Sequence, residues 1–165
     1  MLPEDIRFTG YFPGAIGKTV DLHAAYYHGN WGFDISFETQ VARELAAFFD
    51  EFREGRDFFL AALAGGEFAG CIAIDGKDSA RGGARLRWFI VAPEHQGKGL
   101  GKTLIGEAVS FCRTAAHNRI FLWTFEGLDP ARKLYERSGF RLAGEHRVRQ
   151  WGQNINEQKF ELLLD

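Results

Sequence analysis

Residues 84–104 read ARLRWFIVAPEHQGKGLGKTL. The first ten, 84–93, form an apolar run broken only by Arg85 and Arg87 and ended by Pro93, so they predict a strand. Three glycines follow, Gly97, Gly99 and Gly101. From Leu100 to Ala116 the apolar residues Leu104, Ile105, Ala108, Val109 and Cys112 return at helical spacing. The unit is therefore strand, glycine loop, helix. Glycines let a backbone approach a ligand closely. The first amides of a helix lack internal partners and lie at the positive end of its dipole. Such a start suits an anion, and a pyrophosphate in particular. Lys98 and Lys102 add charge. A plain tight turn is the other reading of the loop taken alone.

Two familiar phosphate motifs fail on spacing. A triphosphatase loop needs glycine five positions before its last glycine. Five before Gly101 is Gln96, and Gly97 is off by one. A second Gly-Lys-Thr, at Gly17, has Phe12 in that place. A dinucleotide fingerprint would put its third glycine at 102, which is Lys102. It also wants an acid about twenty residues on, where Leu122 stands inside an apolar run.

Outward from this unit the chain reads as a mixture of strands and helices. Ile6 to Phe12 predicts a first strand. Val20 to Trp31 is aromatic and polar, with His23, Ala24, Tyr27 and His28 on one helical face. Ser36 is the expected cap of a helix over Thr39 to Phe52. Residues 57–65 and 67–75 flank Gly65-Gly66 as a hairpin, and residues 76–83 make a polar loop. RIFLWTF (119–125) predicts a buried strand. Asp129-Pro130 opens a helix, with the Asp as cap, and Gly139 closes it. Phe140 to Trp151 and Glu157 to Leu164 are the last strands. The order predicts one α/β domain over 1–165, with a mixed sheet and layered helices, not a regular βαβ alternation.

Composition bounds the function. The chain has 165 residues, 45% hydrophobic and 25% charged, as in an ordinary globular domain. A net charge of -2 argues against a non-specific grip on nucleic acid. Two cysteines, Cys71 and Cys112, have no metal-like spacing, so no metal is expected and a reducing compartment fits. The N-terminus does not read as a signal peptide, and no run is long enough to span a membrane. A cytoplasmic location follows as the expectation. The 16 Phe suggest dense core packing.

Gln96-Gly-Lys-Gly-Leu-Gly101 matches the Gln/Arg-x-x-Gly-x-Gly/Ala motif of the GNAT N-acetyltransferases. ARKLYERSGF (131–140) resembles that family's Ala-x-x-Leu-Tyr-x-x-x-Gly-Phe segment, and the element order is similar over nearly the whole chain. Residues 26–49 and 122–145 are also similar to the acetyltransferase half of bacterial MarR-type regulator–acetyltransferase fusions. No winged helix precedes them here, so no DNA-binding role is expected.

The resemblance implies a sheet of about seven strands, mostly antiparallel, flanked by about four helices and splayed in the middle. It implies acetyl-CoA as co-substrate and a primary amine, of a small molecule or a protein, as acceptor. Phe89, Ile90 and Val91 would pair with the pantetheine arm. The amides of Gln96, Gly97, Lys98, Gly99, Leu100, Gly101 and Lys102 would hold the pyrophosphate. Tyr135 would be the general acid that protonates the leaving thiolate. A core aromatic is its plainer reading without the family. Many members carry Asn seven residues before this Tyr, where this chain has Leu128.

In this fold the acceptor usually meets the first helices and the last hairpin. Tyr27 and Trp31 are the candidate acceptor residues, among Tyr26, His28 and Asn30. Arg147, Arg149, Trp151 and Gln153 supply the other end. An arginine-rimmed aromatic pocket would suit a small amine bearing a carboxylate. No general base stands out. Glu94, His95, Asp34 and Glu38 read as surface or capping residues, and the strand 84–91 has no carboxylate. A homodimer is among the expectations. The competing functional reading is a non-catalytic acyl-CoA sensor or partner-binding module.

Overall fold

The structure is a computed structural model that describes residues 2–164. One sheet of seven strands runs through it in the order β1-β2-β3-β4-β5-β7-β6. The strands are β1 (Ile6–Thr9), β2 (Phe58–Ala64), β3 (Glu67–Asp75), β4 (Ala84–Val91), β5 (Arg119–Phe125), β6 (Arg141–Gln150) and β7 (Gln153–Leu163). The helices are α1 (Ala15–Trp31), α2 (Ile35–Asp50), the short α3 (Ser79–Gly82), α4 (Leu100–Thr114) and α5 (Asp129–Arg137). All strand pairs are antiparallel except β4 with β5, which is parallel.

The two faces of the sheet carry separate cores. Ile72, Ile74, Leu86, Ile120, Leu122 and Phe160 pack with buried α4 residues such as Leu104 and Ile105. Phe59, Ala61, Cys71, Ala73 and Ile90 pack on the other face against α1 and α2, through Ala15, Leu45 and Phe48. An aromatic cluster around Phe33, Phe37 and Phe125 extends this second face towards Trp151. Alternation along each strand divides the faces, as period-two geometry requires.

β4 breaks that alternation once. Ala73 pairs with Arg87 and Cys71 with Ile90, so Trp88 and Phe89 together oppose Ile72. This is a β-bulge. Trp88 takes φ 48 there, a left-handed conformation that is rare for a bulky residue. The extra residue shifts the phase of the strand. Arg85, Arg87 and Trp88 belong to the α1/α2 face, yet Phe89 and Val91 pack on the α4 side while Ile90 stays with α1 and α2.

Several boundaries differ from the sequence reading. β1 ends at Thr9, short of Phe12. α1 begins at Ala15, because Gly14 in the left-handed region serves as its N-cap. α2 starts at Ile35 and is capped by Asp34, not Ser36: the Asp34 carboxylate accepts from the Ser36 amide at 3.0 Å and also from its hydroxyl. Asp outcompetes Ser here because its charged oxygen faces the helix dipole. The cap of α5 is Leu128, and Asp129 is the first helical residue. The loop 76–83 contains α3. Trp151 and Gly152, at φ 53 and 79, form a tight two-residue turn between β6 and β7, so β7 begins at Gln153. No helix among the described residues is long and apolar enough to cross a membrane.

Candidate active site

The parallel pair β4–β5 is joined at one end only. Ala84 pairs with Ile120 and Arg85 with Phe121, and the pairing stops there. Beyond Arg85 the two strands diverge, and β4 keeps its ladder to β3 alone as far as Val91. The backbone groups of β4 that face β5 over this stretch have no ladder partner, so they remain available to an extended ligand.

A cavity of about 350 Å³ occupies the gap. Its walls come from β4 (Arg85 to Phe89), β5 (Leu122 to Phe125), α1, α2, α5 and the β6–β7 turn. Tyr135 reaches it from α5, and Tyr27 and His23 from α1. Gly139, at φ 97, ends α5 and turns the chain back so that Tyr135 packs on Phe140 and Phe160. The Tyr135 ring also lies edge-on to Phe89, with centroids 5.9 Å apart. The bulge at Trp88 makes that contact possible, since it turns Phe89 to the α5 side.

Burial sets the protonation states. Tyr135 is buried, and both desolvation and the neighbouring Tyr27 hold its phenol well above the ordinary range. Burial raises Tyr27 in the same way, with help from Tyr26. Both hydroxyls therefore remain proton donors at working pH. His23 is pushed down to about 4 by burial, against the hydrogen bond to Thr19. Its Nδ1 lies 2.7 Å from the Thr19 carbonyl, which can only accept, so Nδ1 carries the proton and Nε2 bears the lone pair.

The glycine loop follows β4 directly. Residues 93–95 make one 3-10 turn started by Pro93. Gly97 and Gly99 take φ 76 and 87, and a Cβ at either would meet nothing within 4 Å. Their glycines are thus needed for backbone conformation and leave an open surface. The first internal bond of α4 runs from the Thr103 amide to the Gly99 carbonyl at 3.1 Å, so the amides before it lack helical partners. Gln96 departs from the expected role: its backbone amide donates to the Pro93 carbonyl at 3.3 Å, and its side-chain amide donates to the Val91 carbonyl at 3.0 Å and ties the loop to the strand, so the free amides start at Gly97. Gly101 serves packing. A Cβ there would stand 2.9 Å from Leu134 Cδ1 and 3.2 Å from Phe89 Cζ. Lys98 is exposed, and Lys102 lies at the open start of α4.

The candidate acceptor residues divide. Tyr27 lines the cavity. Trp31 packs behind it, on Tyr27 and Phe125, and is not among the lining residues. Arg147 and Arg149 are exposed on the edge strand β6. Asp34 and Glu38 are exposed at the start of α2, and Glu94 sits in the turn after β4; none lines the cavity. Leu128, where many relatives have Asn, does line it.

The cavity also holds residues that sequence reasoning passed over, chiefly Arg85, Arg87, Glu44 and Gln150. Two arginines spaced by two in an otherwise apolar strand was the available signal. That spacing puts both on one face of a central strand, where charge needs a reason.

β4 leads from the cavity at Phe89 to the glycine loop after Val91, and known proteins share this frame. No curated protein matches the chain. An acetyltransferase from Streptococcus agalactiae 2603 superimposes with a TM-score of 0.79 at 23% identity, over 98% of this chain and 100% of its own. The yncA protein of Salmonella typhimurium, solved with its cofactor acetyl-CoA, does so at 0.74 and 16% identity, over 98% and 95%. A ribosomal-protein-alanine N-acetyltransferase from Brucella melitensis gives 0.77 at 15% identity, over 96% and 99%. At these identities the likeness is one of fold. The sequence profile of the Acetyltransferase (GNAT) family matches residues 20–140, most of the chain. The chain belongs to the GNAT family of acetyltransferases.

Proposed function

We propose that the protein is an acetyl-CoA-dependent N-acetyltransferase that acylates a primary amine by direct attack within a ternary complex. One observation carries this reading: β4 is unpaired towards β5 where it passes Tyr135 and enters the glycine loop. An extended pantetheine arm fits that free edge along Phe89, Ile90 and Val91. A pyrophosphate fits the unpartnered amides of the loop, with Lys98 and Lys102 adding charge at its rim. The Salmonella relative solved with acetyl-CoA supports the choice of donor.

Tyr135 then has a definite task. Attack of the amine nitrogen on the thioester carbon breaks the carbon–sulfur bond, and the departing thiolate needs a proton. The buried phenol keeps its proton until that moment and gives it to the sulfur, and the tyrosinate left behind takes a proton back from water as the products leave. His23 is a poor store for the amine's own proton, because a site at about 4 releases it again at neutral pH. That proton leaves through water, and the rate follows the free-base fraction of the acceptor.

A second reading, a non-catalytic acyl-CoA sensor akin to regulator-linked acetyltransferase domains, draws on Leu128 and on the ties of the cavity's carboxylates. Glu44 is bound to Arg87, and Glu157 lies 3.2 Å from the His146 ring. Thiol release from acetyl-CoA, followed across a broad amine panel, separates the two. Turnover of any acceptor at useful rates supports the enzyme. Tight acetyl-CoA binding in calorimetry with no turnover supports the sensor, and no binding at near-millimolar ligand defeats both.

A further inference from the structure

Arg85 and Arg87 lie on the same face of β4 and line the same cavity, but only one has partners. Arg87 is ion-paired with Glu44 and, at 3.5 Å, with Asp75, and its guanidinium covers the Trp88 ring at 4.2 Å. Arg85 has no hydrogen bond and no ion pair among the described residues, and its Nε is buried without a partner. The acids within electrostatic reach of it are Glu44, Asp75 and Glu157. The first two are engaged by Arg87, and the third lies 3.2 Å from the His146 ring and makes no ion pair with Arg85. Burial and the like charge of Arg87 lower Arg85 only to about 10, so it stays cationic at neutral pH. A half-buried cation with an unpartnered Nε and no counter-ion in contact is costly, and a ligand anion offsets that cost.

Gln150 supplies the complement. Its Oε1 is also buried with no partner, and it lines the same cavity. Arg85 and Gln150 thus line one cavity, and each keeps a polar atom without a partner just behind its wall. Arg85 shares its face of β4 with Arg87, whose guanidinium meets Glu44 of α2, and Tyr135 lines the same cavity.

We propose that Arg85 binds the carboxylate of the acceptor, so that the amine acetylated here belongs to a small amino acid. This rests on the N-acetyltransferase reading above. A guanidinium matches a carboxylate in a two-bond fork, and an N–H of the same molecule can reach the Gln150 oxygen. The surrounding acids favour a singly charged carboxylate over a phosphate dianion. A protein amine has no carboxylate beside it, and a cavity of about 350 Å³ suits a small molecule. Trp123 and Trp151 give its side chain aromatic walls.

The test compares matched pairs that differ only in the carboxylate: L-phenylalanine with 2-phenylethylamine, L-leucine with 3-methylbutylamine, L-methionine with 3-(methylthio)propylamine, and β-alanine with ethylamine. Thiol release is measured for the wild type and for Arg85→Gln, with rates referred to the free-base amine. At least one amino acid should exceed its matched amine by about fiftyfold in kcat/KM. Arg85→Gln should erase that preference through KM, change the matched amine less than about threefold, and leave acetyl-CoA affinity in calorimetry unchanged. Amines used as well as every amino acid, or a variant that loses both equally, overturns the proposal. Acetyl-CoA binding by the wild type in those cases leaves the acetyltransferase reading intact, whereas its absence removes both.

Discussion

The two ends of the β4–β5 pair hold buried polar groups of opposite character. At the joined end, Asp57 is almost fully buried and every reach of its carboxylate is used. It accepts from the Arg53 amide at 2.9 Å and the Gly76 amide at 2.8 Å, and it pairs with Arg56 at 2.8 Å. His117 beside it spans Ser79 and the Arg56 carbonyl at 2.6 and 2.9 Å. Where the pairing stops and the splay begins, Arg85 Nε and Gln150 Oε1 have no partner. A polar cluster that is fully satisfied belongs to the architecture. One left open beside a cavity marks where a ligand's polar groups complete it.

If the contrast is right, substitutions at the splayed end change turnover and those at the joined end change stability. The largest effect is expected at Tyr135. Tyr135→Phe should lower kcat about a thousandfold while acetyl-CoA affinity in calorimetry stays the same. Parallel losses in both would make Tyr135 a packing residue and blur the contrast.

Asp57→Ala should act in the opposite way. It strips two buried amides and Arg56 of their acceptor and should cost about 3 kcal/mol in urea unfolding. The kcat of the folded fraction should be unchanged. Despite the penalty of burial, Arg56 and the two backbone amides hold the Asp57 carboxyl below its usual range. Its stabilisation is therefore present above the ordinary carboxylate range and fades as pH falls through the native value.

His23 makes the splayed end acid-sensitive at a higher pH. Its native value is about 4 against an unfolded 6.5, so between them the unfolded chain binds the proton and the folded one does not. Stability should be complete above pH 6.5 and fall by about 3 kcal/mol on acidification to 4. His23→Gln should flatten that slope in unfolding curves taken across the window. An unchanged slope would show that His23 is open to water in the native state.

The smallest effects belong to the loop. Gly97→Ala forces an alanine to φ 76 and should cost about 1 kcal/mol while raising the KM for acetyl-CoA. Lys98→Ala should weaken acetyl-CoA binding only a few-fold, and less at high salt.

The sequence made some of this legible and hid the rest for physical reasons. Periodicity and punctuation found the seven strands and the four long helices, because most bury one face and end at Gly, Pro or a polar run, although β6 stays exposed along most of its length. The motifs around Gly97 and Tyr135 identified the family, since the loop and α5 work largely through local backbone geometry. The bulge at Trp88 was invisible, because it is a register relation between β3 and β4. Ser36 and Asp34 both qualified as caps, and only the path of the chain out of Gly32 decides between them. The acceptor end was misread for a similar reason. Arg147 and Arg149 looked like the pocket's cations, but β6 is the sheet edge and exposes them. Arg85 stands in a central strand, where its lack of a partner emerges only once Arg87 is seen to engage Glu44 and Asp75.

The central claim is that the open edge of β4 and the start of α4 receive acetyl-CoA. Amide hydrogen exchange with and without acetyl-CoA tests it most directly. Slowed exchange concentrated at residues 89–91 and 97–102, with the Asp57 cluster unaffected, is the predicted result. Unchanged exchange in those two segments at saturating acetyl-CoA, or protection confined to other parts of the chain, would contradict it.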